Sequence, residues 1–151
     1  MSRMYSAPMD AIAVTTATDL FHITVADTIV IHVLEFCQTT DLGDAQEEVL
    51  RIGLYREVTG GSGGTALTES PYLDKDDTAA TAAVLAANSS ISTGGVLLDI
   101  IGWNIRVPLE KIWTPETRPS FDSTEDPVAF RLLTAPTDSI TISGTLIWEE
   151  F

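Results

Sequence analysis

Residues 139–148 read SITISGTLIW, and apolar and small polar residues alternate along them almost without a break. A strand with one buried and one wet face has period two, so Ile140, Ile142, Leu146 and Trp148 are expected to face a core while Thr141, Ser143 and Thr145 face water. Gly144 interrupts the apolar row, marking either a bulge or a close approach of another backbone. Ile147 adds an apolar residue to the wet face. Working outward, residues 128–134 (VAFRLLT) read as a strand joined to the terminal one by the turn APTD at 135–138.

The same alternation recurs upstream. Residues 19–25 (DLFHITV) set Phe21, Ile23 and Val25 on one face, and residues 49–59 (VLRIGLYREVT) point Leu50, Ile52 and Leu54 inward with Arg51, Tyr55 and Glu57 outward. Residues 29–38 (IVIHVLEFCQ) differ. Val30, Leu34 and Phe36 occupy one parity, Ile29, Ile31, Val33 and Cys37 the other, so this strand is expected to be covered on both faces, by a further layer or by a neighbouring subunit. Residues 5–14, with Pro8, read as an edge strand or an extended N-terminal arm over 1–14. A strand is expected near 83–88, and another apolar segment begins at 96–101 (VLLDII), its parity broken by Gly102, Trp103 and Asn104.

The connections carry turn chemistry. Residues 39–48 form an acidic turn with room for one helical turn, 60–64 (GGSGG) a very flexible exposed loop, and 113–127 an extended surface loop with Pro115, Pro119 and Pro127. Eight or nine short strands separated by long Gly- and Pro-rich loops, with no convincing long helix, predict an all-β chain. The architecture expected is an antiparallel β-sandwich, jelly-roll-like, with a closed barrel as second choice.

At 151 residues one domain spanning 1–151 suffices, since a chain of this size buries roughly 70% of its unfolded surface. The single cysteine, Cys37, forms no internal bridge and is expected as a buried reduced thiol in a reducing compartment. Residues 1–10 lack the order of a secretory signal, and the apolar runs fall far short of the ~20 residues of a membrane span. A soluble protein is expected. The formal charge of −14, from 22 acidic against 8 basic side chains, opposes direct nucleic-acid contact and suits either a merely soluble surface or a basic partner.

Chemistry is sparse. His22 and His32 read as satisfied strand histidines, and one Cys with two His matches no zinc spacing. The GGSGG loop has no following lysine and so is no phosphate loop, nor does it open a helix as a nucleophile elbow does. Asp74, Asp76 and Asp77 lack the spacing of a calcium loop and read as a solvated turn. Trp103, Trp113 and Trp148 could line a sugar groove, but such residues more often serve a core or a subunit contact. No enzyme, metal site or cofactor is expected; packing and assembly remain.

Residues 13–23 (AVTTATDLFHI), 42–52 (LGDAQEEVLRI), the tract 60–64 and the ending 131–146 (RLLTAPTDSITISGTL) together resemble small structural proteins of tailed-phage and prophage morphogenesis regions. The resemblance implies a virion component, most like a head decoration (cement) protein. Such a protein would sit on the capsid surface after assembly in the host bacterial cytoplasm, with the major capsid protein as partner and itself as a homo-oligomer, commonly a trimer. In that reading inter-subunit contacts are expected from Tyr5, Met9, Ile12, Ile29, Ile31, Val33, Trp113 and Ile147. The rivals are a carbohydrate- or receptor-binding fibre module using the tryptophans and the loop 113–127, and a β-sandwich hydrolase.

Overall fold

The computed structural model describes residues 2–39 and 48–151; most of the turn expected at 39–48 lies outside them. The described residues form twelve β-strands: β1 (Arg3–Val14), β2 (Asp19–Thr24), β3 (Ile29–Gln38), β4 (Val49–Arg56), β5 (Thr65–Ala66), β6 (Ser70–Pro71), β7 (Ala83–Ala86), β8 (Val96–Asn104), β9 (Leu109–Ile112), β10 (Ser120–Phe121), β11 (Val128–Leu132) and β12 (Ile140–Glu150). Three of them, β5, β6 and β10, are two-residue pairings. There is no helix among the described residues. The chain is an antiparallel β-sandwich of two sheets.

The front sheet runs β10-β3-β12-β1-β6, with β9 also paired to β3, and the back sheet runs β5-β7-β2-β11-β4-β8. β1 to β4 alternate between the sheets, β4 and β8 are neighbours in the back sheet, and β9, β11 and β12 resume the alternation, so the core is built from both ends of the sequence. Phe21 of β2 stacks on Phe36 of β3 with centroids 5.3 Å apart, and Phe36 meets Trp103 of β8 at 5.9 Å. These rings tie the two layers together.

The terminal strand follows its alternation. Ile140, Ile142, Leu146 and Trp148 are buried in the core, and Gly144 marks a close approach: a Cβ there would lie 2.3 Å from the Glu35 carbonyl and 2.6 Å from the Phe36 ring. A side chain has no room at this crossing.

β3 corrects the expectation of a strand apolar on both faces. Its ladder with β12 pairs Val33 with Ile147 but Ile31 with Trp148, so His32 is an extra residue and the register shifts there. A bulge inverts parity, and one buried row, Ile29, Ile31, Leu34 and Phe36, continues through it. The strand covered on both faces is β2 instead, with Asp19 through Ile23 all buried.

Its cover is the glycine loop, which is not the free tip the composition suggested. Thr59 pairs with Thr93 and Ser62 with Ser90, and Gly61, at φ +91°, lies so close that a Cβ would sit 2.9 Å from both Asp19 Oδ2 and His22 Cδ2. Glycine is needed here for contact rather than for mobility. Underneath, Asp19 accepts from Asn88 Nδ2 (3.0 Å), Ser92 N (2.9 Å) and Ser92 Oγ (2.7 Å), with Arg131 Nε at 3.7 Å. Arg131 in turn lies over the Tyr55 ring at 4.1 Å.

Of the two readings for the N-terminal residues, the strand is the one seen: β1 pairs with β12 through a bulge between Met9 and Ile12, and Pro8 is accommodated because β6 covers β1 only at Tyr5 and Ser6. The loop 113–127 is pinned rather than extended over the surface, since Trp113 and Phe121 are buried and β10 pairs with Val30 and Ile29.

Candidate interaction surface

The residues expected at subunit contacts are mostly spent inside the chain. Tyr5, Met9, Ile29, Ile31 and Trp113 belong to the core cluster, so their assignment to an interface is corrected: each faces the opposite sheet. Tyr5 stacks on Trp148 at 6.0 Å and donates its hydroxyl to Thr78 O at 2.7 Å, while Trp113 packs on Phe130 at 6.2 Å. Ile147 lies on the outer face between Ser6 and Val33, yet only 9% of it is exposed. Ile12 packs partly against the core and Val33 is half-buried on the outer face of the front sheet. The structure does not bring these eight residues together as one patch.

The groups weighed for chemistry are also engaged locally. His22 Nε2 lies 3.2 Å from Gly60 O and His32 Nε2 lies 3.0 Å from Glu149 Oε2. Asp74 accepts from Asp76 N, Asp76 meets Lys75, and Asp77 lies 3.6 Å from Arg3. Among the described residues no cluster of His, Cys, Asp or Glu has a metal-holding arrangement. Cys37 is half-buried rather than buried.

Cys37 lines a groove of about 480 Å³ on the front sheet, together with Pro8, Asp10, Glu35, Glu110 and Thr145. Glu35 and Glu110 are directly opposite each other in the β3–β9 ladder. Burial, hydrogen bonding with Glu110 that favours the protonated form of Glu35, and the like charge of Glu110 push the Glu35 carboxyl above its ordinary range. The groove is acidic, with no basic side chain in its lining.

The β8 end of the back sheet is apolar instead. Most of the large, exposed apolar side chains in strands sit on β8, with Val96, Leu97 and Leu98 each 44% and Ile100 49% exposed; the others are Val49 on β4 and Ile112 on β9. β8 ends the back sheet, and its far side has no neighbouring strand among the described residues. Its one carboxylate, Asp99, lies 3.9 Å from Lys111 Nζ. Leu97 folds over Gly53 beside the Tyr55 ring, where a Cβ on Gly53 would lie 2.6 Å from Tyr55 and 3.2 Å from Leu97. The VLLDII run was visible in the sequence as an apolar segment, but which strand ends a sheet is set by strand order, and that is not written locally.

Against this geometry, the chain matches no protein-family model, no curated protein and no solved structure.

Proposed function

We propose that this chain is a non-enzymatic structural subunit, a head decoration protein of a tailed phage or prophage that stabilises the capsid by docking on the major capsid protein. The observation that carries the assembly part of this reading is β8, an open sheet edge whose apolar side chains remain in water in the isolated chain. Apolar groups contribute about 25 cal/mol per Å² when removed from water, before association costs, so such an edge favours a partner. The virion part rests on the resemblance of residues 13–23, 42–52 and 131–146.

Strand order supports the jelly-roll form of the sandwich. Counting β9 and β10 as one strand and setting aside β5, β6 and β7, the front sheet reads first, eighth, third, sixth, and the back sheet second, seventh, fourth, fifth. That interleaving is the one produced by two Greek keys rolled together.

The glycan reading loses its support, because Trp103, Trp113 and Trp148 are 2%, 5% and 1% exposed and none offers a ring to a sugar. The test is the composition of purified particles made by the genome that encodes the chain. Mass spectrometry is expected to find it in DNA-filled heads at a fixed ratio to the major capsid protein; its absence from heads, or its presence in isolated tails alone, overturns the decoration reading.

A further inference from the structure

Residues 106–112 run from β8 to the outer edge of β3 as a strap between two buried anchors, Ile105 and Trp113. No residue of the strap is itself buried. At the first anchor Trp103 Nε1 donates to Val107 O at 2.8 Å, and at the second Trp113 N donates to His32 O at 3.2 Å. In between, the strap is held by the four residue pairs of the β9–β3 ladder, by Leu109 packed against the core, and by Lys111, 3.9 Å from Asp99 on β8. The far side of β9 has no neighbouring strand among the described residues. A short ladder with few buried contacts sits at the low end of local stability.

One pair of that ladder works against closure. Glu35 faces Glu110 directly, and like charges directly opposite each other destabilise a ladder. The surroundings do not offset this. Asp10 lies in the same groove on β1 and accepts from Ser143 Oγ at 3.0 Å, Cys37 follows two residues along β3, and β12 presents only Ser143 and Thr145 beside Gly144. None of these is basic, and Lys111 is turned to Asp99 and the Trp113 ring.

We propose that residues 106–112 are a proton-controlled strap, closed on β3 while a proton sits between Glu35 and Glu110, and opening locally once Glu35 gives that proton up. Release uncovers the backbone edge of β3 from Val33 to Phe36 and takes away one wall, Pro108, Leu109 and Glu110, of the groove that Cys37 lines. Both ends stay fixed at Ile105 and Trp113, so the sandwich persists. Burial, then hydrogen bonding with Glu110 and its like charge, holds the Glu35 carboxyl above its ordinary range in the closed strap. The closed form therefore binds the proton more tightly than the open form. Closure is fullest in acid and weakens as pH rises through that raised range. The strap works in the isolated chain, whether or not the chain is a virion subunit.

Hydrogen exchange on the full chain between pH 4 and pH 8 tests this, with each amide corrected for the intrinsic effect of pH and the β11 and β12 amides of the same sample as reference. Protection of the amides of residues 109–112 is expected to fall about twofold to fivefold relative to that reference as pH rises. Exchange through global unfolding would move all the strands together. Glu110→Gln and, independently, Glu35→Gln remove the like-charge pair, and in each the relative protection of β9 is expected to stay level across the range. Protection of β9 that follows β11 and β12 at every pH overturns the proposal. So does a glutamine variant that keeps the parent's pH dependence.

Discussion

Glu35 on β3 and Glu110 on β9 stand directly opposite each other on the outer face of the front sheet, and burial together with the neighbouring acid holds the Glu35 carboxyl above its ordinary range. Because the folded chain holds a proton on Glu35 more tightly than the unfolded chain does, this group's contribution to stability is full below its unfolded range and is lost as pH rises through its raised folded range. Glu35→Gln is therefore expected to stabilise the protein at neutral pH by roughly 0.2–1 kcal/mol and to flatten the acid side of its pH–stability curve. Urea titrations of parent and variant at a series of pH values, compared by difference, check this against the background of the other acids.

Glu150 is a buried carboxylate with donors on every side: Thr81 N and Oγ1, Ala82 N at 3.0 Å and Trp148 Nε1 at 3.1 Å. Replacing it with alanine leaves these donors unpaired. Glu150→Ala is expected to cost about 2–4 kcal/mol and to expose the segment around residues 78–82 to protease, with limited proteolysis as the readout.

Asp19 holds the loop 88–92 to β2 and compensates Arg131. Asp19→Ala removes one partner of a buried pair, an effect of about 3–5 kcal/mol. Gly61→Ala is expected to destabilise the same region, since its Cβ would meet Asp19 and His22 at a positive φ. Thermal melts of both variants check the claim that the glycine loop is a packed cover of β2.

Trp113 separates two accounts of one residue. As a core ring against Phe130, its replacement by alanine is expected to cost about 3–5 kcal/mol; as a sugar platform it would lose binding while keeping stability. Chemical denaturation followed by fluorescence decides which.

The strands were legible where one face is buried and the period stays at two, as in Ile140, Ile142, Leu146 and Trp148 or Leu50, Ile52 and Leu54. The bulge at His32 was not. One inserted residue flips parity, so Ile29 and Ile31 on one parity and Leu34 and Phe36 on the other looked like two apolar faces when they form one. The flip keeps Ile29 and Ile31 in the core, where unbroken alternation would set them on a second apolar face. The cover over β2 was hidden for another reason: Gly60 to Gly64 has the composition of a loose linker, and only the contact with Asp19 and His22 reveals why side chains are missing there. The edge status of β8 depends on pairings between residues far apart in sequence, Tyr55 with Leu97 and Leu50 with Trp103 among them, and no local pattern carries that information.

The proposed role of β8 as an assembly surface of a virion subunit is tested by the occupancy of parent and Ile100→Lys chains on purified heads, quantified by mass spectrometry against the major capsid protein. A fixed occupancy is expected for the parent and a marked loss for the variant. Heads that lack the parent chain, or that carry the variant at the parent's occupancy, would contradict it.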